Sequence, residues 1–202
     1  FLAGIMQHIE EAGIHSGDSS CTLPPFSLAD GIIKNVKKQA EALGKELQLS
    51  GFLNIQFALL GTDIYVLEVN PRASRTIPFV CKATGFNWVR VATHAMLGHS
   101  FKEQQVVAPP LLPSDFDHVS VKEVVFPFIK FPNVDTLLGP EMKSTGEVMG
   151  LGSDFQEAFI KGQPTLAYKI MKGLSSRIRY LNNEIKLLKQ GSCFVEKEKL
   201  PA

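Results

Sequence analysis

What this 202-residue chain has little of narrows its class first. Cysteine is scarce: Cys21, Cys81 and Cys193 are odd in number, widely separated and in no CxxC pair. That pattern suggests neither a disulfide framework nor a zinc site, and a reducing, cytoplasmic compartment is its default. Excess charge is nearly absent, since 21 Lys and Arg stand against 20 Asp and Glu for a net charge of +1. Such a balance leaves no electrostatic footprint for nucleic acid or an anionic membrane. No apolar run approaches the roughly 18 residues of a membrane span, and the start lacks the basic lead of a signal peptide. Internal repeats and low-complexity tracts are also missing. What remains is 45% hydrophobic, ordinary for a globular protein. The length suits one domain or one and a half. The opening Phe1-Leu2-Ala3-Gly4-Ile5-Met6 has no initiator Met and no polar lead-in, as in a chain cut in mid-element.

Periodicity lays out the elements. Residues 1–10 read as a strand, followed by the loop Gly13-Ile14-His15-Ser16-Gly17-Asp18-Ser19, rich in glycine and short polar residues. Ser27 is the expected N-cap of a helix over 28–49, with Ile32, Ile33, Val36, Ala40, Leu43 and Leu47 on one face. Strands are expected over 52–60 and 64–70, and helices over 76–84 and 87–97, the second capped by Asn87 and stopped by Gly98. Pro-rich 106–114 reads as a surface connection. Strands are expected at 119–130 and 144–150, and Ser153 as the cap of a short helix to about Lys161. Residues 175–190 read as a basic amphipathic helix with Ile178, Leu181, Ile185 and Leu188 on one side.

The hairpin between the second pair of strands concentrates the polar chemistry. With a three-residue loop, Gly61 to Asp63, Leu60 faces Ile64, Gln56 falls opposite Glu68, and Asn54 opposite Asn70. Directly opposed side chains lie about 5 Å apart at Cβ, so these oxygen-bearing groups share one patch. A two-residue loop would move the register by one and scatter them over both faces. In the same reading Tyr65, Leu67 and Val69 share one face of the second strand, and Ile64, Val66, Glu68 and Asn70 the other. One carboxylate with two carboxamides is a hard donor set suited to Mg²⁺. Arg72 and Arg75 follow, and guanidinium forks match phosphate oxygens. Metal beside arginines is what phosphoryl transfer needs. The plain alternative is a solvated strand face. Pro71 argues against it, because it ends the strand there and leaves Asn70 and the arginines where the sheet opens.

Leu67-Glu68-Val69-Asn70-Pro71-Arg72-Ala73-Ser74-Arg75 resembles the metal-binding motif of the ATP-grasp superfamily. Residues from Gly4 to about Phe159 are similar to the large subunit of the carbamoyl-phosphate synthetase family. The segments that carry this are Ile5-Met6-Gln7-His8-Ile9-Glu10 with Gly13 to Ser19, Arg75-Thr76-Ile77-Pro78-Phe79-Val80 with Lys82-Ala83-Thr84-Gly85, and Gly139-Pro140-Glu141-Met142-Lys143-Ser144-Thr145-Gly146-Glu147-Val148. The first two resemble the second, carbamate-phosphorylating half of that subunit.

The resemblance implies an α+β fold: an ATP-grasp C-terminal lobe over 1–164, an antiparallel sheet flanked by helices, and a linker with a truncated or degenerate regulatory-domain remnant over 165–202. It implies ATP as nucleotide, with Mg²⁺ or Mn²⁺ on Gln56, Glu68 and Asn70. Ile14, His15, Ser16, Gln56 and Glu68 would contact the nucleotide, and Arg72 and Arg75 would serve catalysis. K⁺ near His8, Glu10 and the Ile14 carbonyl is a further family property. The implied substrates are bicarbonate, ammonia and carbamate, and the partner is a glutaminase small subunit, with no nucleic acid or membrane involved. The implied product is carbamoyl phosphate for pyrimidine and arginine biosynthesis. The family's upstream lobe, with its glycine-rich loop and basic residues over the phosphates, does not precede Phe1, so this chain is expected to be a half-site, inactive alone. Without the resemblance, His15 is an ordinary loop histidine and Asp18-Ser19-Ser20 a turn. His94, His99 and His118 are taken as structural or surface residues. The alternatives are another ATP-grasp carboxylase or ligase, and a non-catalytic binding module.

Overall fold

The computed structural model describes residues 2–128, 133 and 135–163. The 175–190 helix, the 165–202 remnant, Cys193 and the last part of the 119–130 strand lie outside the described residues. Strands β1 (Gln7–His8), β2 (Cys21–Leu23), β5 (Val119–Val125) and β6 (Gly146–Gly152) form an antiparallel sheet in the order β1-β2-β5-β6, while β3 (Asn54–Leu60) and β4 (Asp63–Asn70) form a separate two-stranded sheet. Helices α1 (Asp30–Glu46), α2 (Thr76–Thr84), α3 (Trp88–Met96) and α4 (Phe155–Gly162) accompany them. The antiparallel α+β architecture is therefore present, as two sheets rather than one. No helix among the described residues is long and apolar enough to cross a membrane.

The first sheet departs most from the sequence reading. The expected strand over 1–10 is reduced to Gln7–His8, and β2 was not anticipated. The chain turns after Ile9, whose N–H donates to the Ser20 carbonyl at 3.0 Å, while the Ser20 N–H donates to Glu10 Oε2 at 2.6 Å. β2 is three residues long and wholly buried, too short for a period of two to register.

Capping corrects two further expectations. Ser27 does not cap α1. Gln7 holds it instead, its Nε2 donating to Ser27 Oγ at 2.6 Å and its Oε1 accepting the Phe26 and Ser27 N–H groups. The helix starts after Ala29 with no side-chain cap, and Asp30 in its first turn complements the dipole. Ile33, Val36 and Ala40 are buried as the spacing predicts, but Leu47 lies past the helix end and is exposed. In α4 the cap is Asp154, which accepts from the Glu157 N–H at 2.8 Å. Ser153 sits one residue earlier and donates both N–H and O–H to Glu157 Oε2. Asn87 does cap α3, accepting from the Arg90 N–H at 3.0 Å.

α2 is seated on the sheet through Phe79 and Ala83, which pack with Cys21 and Leu23 of β2 and with Met6, Val80, Phe116 and Met149. Side chains the size of Phe79 and Leu23 contribute roughly 2 kcal/mol each when fully buried. On the same sheet α4 lies against β5 and β6 with no room between backbones. A Cβ added at Gly150 would overlap the Ala158 carbonyl oxygen and the Gly162 nitrogen, and one at Gly152 would fall 2.5 Å from the Ala158 nitrogen. Gly150→Ala must therefore push α4 off the sheet. Overpacking of this kind costs about 2 kcal/mol or more, to be read as a lowered denaturation midpoint in urea. A midpoint equal to wild type would show that α4 yields freely.

Candidate active site

The β3–β4 hairpin brings Gln56 opposite Glu68 and Asn54 opposite Asn70, but by a route the sequence did not indicate. Leu60 pairs with Asp63 and Leu59 with Ile64, so the turn has two residues, Gly61 and Thr62. Gly61 takes a φ of 61°, the positive value that the first central position of a II′ turn requires, and primed turns match the twist of paired strands. The register it sets holds as far as Phe57 opposite Val66, then slips by one residue before Gln56 and Glu68. Leu67 is the extra residue of a β-bulge. The slip returns Glu68 and Asn70 to the face of Gln56 and Asn54. The two-residue turn has already put Tyr65, opposite Ala58, on that face, and Ile64 and Val66 on the other with Val69, a correction to the alternation read from sequence.

Beyond Asn70 the chain bends into α2. The Arg72 N–H donates back to the Asn70 carbonyl at 2.8 Å. Asn54 Nδ2 donates to Ser74 Oγ at 3.2 Å, and Ser74 Oγ lies 2.5 Å from Thr76 Oγ1. These bonds tie the base of the hairpin to the first turn of α2. Arg75 stands at the N-cap of that helix with helical backbone, so its exposed guanidinium projects from the positive end of the helix dipole. Arg72 is exposed beside it, with Nη1 on the Ala73 carbonyl at 3.2 Å. Both arginines keep donors available for an anion.

The opposite side is the Gly13–Gly17 loop. The His15 N–H donates to the Gly139 carbonyl at 2.8 Å, and His15 Nδ1 accepts the Gly17 N–H at 3.0 Å. An accepting Nδ1 leaves Nε2 with the ring proton. Below this loop lies a buried polar floor. Lys122 is 1% exposed, donates from Nζ to the Ser16 carbonyl at 3.2 Å, and faces Glu147 Oε1 at 4.0 Å. Glu123 Oε2 accepts the Ser20 hydroxyl at 2.7 Å. Burial, and then the Lys122 charge, lower the His8 pKa from 6.5 to about 4, and burial pushes the Cys21 thiol up to about 12.

One cleft of about 1500 Å³ is lined by residues from both sides: Ile14, His15 and Ser16 from the loop, Gln56, Glu68 and Asn70 from the hairpin, and Arg72 and Arg75 from the bend. All eight residues singled out in the sequence thus share one space. His8 and Glu10 also line it. Sequence reasoning missed Met142 and Glu147, which line the same cleft, and Lys122 beneath it. A charged pair, Lys122-Glu123, inside the apolar run of β5 was the available signal. Asp18, set aside as a turn residue, is wholly buried and accepts two backbone N–H groups. His118 is structural, its Nε2 being 3.0 Å from the Ala83 carbonyl oxygen.

A divalent cation fits this donor set. Glu68 offers a carboxylate and Gln56 and Asn70 carboxamide oxygens on one strand face, the remaining positions being open to phosphate and water, as Mg²⁺ prefers. Among the described residues no cluster of three His, Cys, Asp or Glu offers a competing site.

The fold and this cleft define a class. The profile of a family described as "ATP-grasp in the biosynthetic pathway with Ter operon" matches residues 33–120. A solved structure described as a single-chain, multi-domain long-chain acyl-CoA carboxylase superposes with a TM-score of 0.55 at 16% identity, over 73% of this chain and 19% of that one, a likeness of fold alone. Over residues 33–120 the chain is thus similar to the ATP-grasp family. The sequence is also similar to one segment of carbamoyl phosphate synthase large chains. It is 52% identical over 171 residues to that of Myxococcus xanthus (strain DK1622), covering 85% of this chain and 15% of the relative. It is 55% identical over 165 residues to that of Pasteurella multocida (strain Pm70), covering 80% and 15%. The chain thus spans about 15% of the length of the curated relatives it matches.

The partly buried His8 gives a pH test. Its folded pKa lies below its unfolded value, so the unfolded chain takes up the proton first. Stability is then full above about pH 6.5 and falls as pH drops toward 4. Over that interval the loss attributable to His8 is about 3 kcal/mol. Denaturant titrations of wild type and His8→Gln between pH 7 and pH 4 should show the variant falling less by that amount. Parallel curves would place His8 in solvent.

Proposed function

We propose that this chain supplies the metal- and nucleotide-binding side of an ATP-dependent ligase that makes carbamoyl phosphate, within the half that phosphorylates carbamate. The observation that carries the reading is Gln56, Glu68 and Asn70 on one strand face, ending in Arg72 and Arg75, across one cleft from the His15 loop. Identity of 52–55% to carbamoyl phosphate synthase large chains supports this reading of the reaction. The likeness to an acyl-CoA carboxylase rests on fold alone and favours no second substrate. In the whole protein the carbamate would derive from bicarbonate and from ammonia released from glutamine by a glutaminase subunit. The setting would be the cytoplasm, and the product would feed pyrimidine and arginine biosynthesis.

The chain's own residues have separable parts in such a reaction. A carbamate oxygen attacks the γ-phosphorus of ATP, the new O–P bond forms as the bond to the β-phosphate oxygen breaks, and ADP leaves. Phosphoryl transfer of this kind depends on positioning and on neutralising charge. Gln56, Glu68 and Asn70 would hold Mg²⁺ or Mn²⁺, which would supply positive charge against the phosphates. Arg75, at the positive end of α2, and Arg72 offer guanidinium donors to the transferring group. The glycine-flanked loop at Ile14, His15 and Ser16 allows backbone to approach the nucleotide closely. K⁺ would be held near His8, Glu10 and the Ile14 carbonyl, residues that line the same cleft.

The test is the partial reaction in the protein that carries this segment, ADP and carbamoyl phosphate giving ATP. Glu68→Gln removes one charge with little change of shape and should lower the rate at least 100-fold, about 3 kcal/mol of barrier. Arg75→Ala should impair it as well. An unchanged rate in Glu68→Gln would refute the metal role.

A further inference from the structure

Asp18 is wholly buried, yet it is not among the residues lining the cleft. Its carboxylate spans a sequence gap of more than a hundred residues: Oδ2 accepts the Lys143 N–H at 2.7 Å and Oδ1 the Ser144 N–H at 2.8 Å. The same two segments are pinned at two more points, where Ser144 Oγ donates to the Gly17 carbonyl at 2.7 Å and the His15 N–H to the Gly139 carbonyl at 2.8 Å. Within the loop the Asp18 N–H donates to the His15 carbonyl at 2.8 Å. Between the pins stands Met142, which lines the cleft and lies so close to Gly17 that a Cβ there would fall 2.8 Å from its sulfur. The Lys143 ammonium is turned away, onto the carbonyls of Asp135 and Leu137 at 3.0 and 2.6 Å. The carboxylate is thus held by backbone donors.

From this arrangement we infer that Asp18 is a positioning residue: by clamping the Lys143–Ser144 backbone it sets the His15–Gly17 loop against Met142, and so sets the affinity of the cleft for nucleotide. The inference rests on the nucleotide reading of that cleft. Two N–H donors side by side need two acceptor oxygens. Asparagine has one, and turns its own amide donors toward the second N–H, leaving a buried donor unsatisfied. Asp18→Asn therefore keeps the shape of the side chain and breaks half of the clamp. Asp154→Ala is the matched control, since it removes a helix cap with a measurable stability cost at a residue that does not line the cleft.

The experiment titrates a fluorescent ADP analogue (mant-ADP, with Mg²⁺) into wild type and both variants, well below their melting temperatures. Backbone amide exchange over 13–18 and 139–144 is followed without nucleotide. Asp18→Asn should weaken mant-ADP binding at least tenfold and speed exchange at Gly17 and Ser144, while Asp154→Ala stays within twofold of wild-type affinity. Wild-type affinity in folded Asp18→Asn, or equal losses in both variants, overturns the assignment. If wild type itself binds no nucleotide, the reading of the cleft fails, and with it the role in affinity. Exchange then still decides whether Asp18 clamps the loop, unchanged rates at Gly17 and Ser144 overturning that too.

Discussion

One unpaired residue, Leu67, decides where every oxygen donor of the hairpin faces. Because strand side chains alternate with a period of two, a single inserted residue exchanges the two faces for all that follows it. The tight turn at Gly61-Thr62 alone would have sent Glu68 and Asn70 to the face opposite Gln56. The bulge reverses that for the last part of β4 and leaves the turn undisturbed. The arginine bend inherits the result, since its bonds to Asn54 and Asn70 fix it to the corrected face. α2 then carries Arg75 from that bend onto the sheet, where Phe79 and Ala83 anchor it.

The opposite side of the cleft is held by buried polar groups. Lys122, Asp18, Ser19, Ser20 and Thr22 are all essentially inaccessible to solvent, and burying such groups is unfavourable unless each finds partners. Here they do: Lys122 has the Ser16 carbonyl and Glu147, and Asp18 has two backbone amides. These partners come from the loop and from the segments around β5 and β6, so the loop's geometry depends on residues more than a hundred positions away. That dependence makes a glycine-flanked loop a defined surface. The same low-dielectric setting keeps His8 neutral and the Cys21 thiol unreactive near neutral pH.

Close backbone packing supports this floor from behind. Gly150 and Gly152 let α4 approach β5 and β6 with nothing between them. Register in β6 is thereby tied to α4, and with it the position of Glu147 beside Lys122.

Local chemistry was legible from the residues themselves. The spans of α2 and α3, the Asn87 cap and the stop at Pro71 follow from periodicity, capping and proline, all of which act within a few residues; the pairing of Gln56 with Glu68 was read correctly only because the bulge offsets the shorter turn. The eight candidate residues share one cleft because they lie on two short stretches that the strand pattern brings into view. Tertiary structure decided the rest. Whether a hairpin turns in two residues with a bulge or in three without one depends on strand twist. Ser27 could have capped α1, but Gln7, twenty residues away, took its hydroxyl. Asp18 looked like a turn residue because its partners are the amides of residues 143 and 144, and Lys122 went unnoticed because its partners are Ser16 and Glu147. A buried polar group is defined by what satisfies it, and in this chain those partners come from distant sequence that only the fold brings within hydrogen-bond distance.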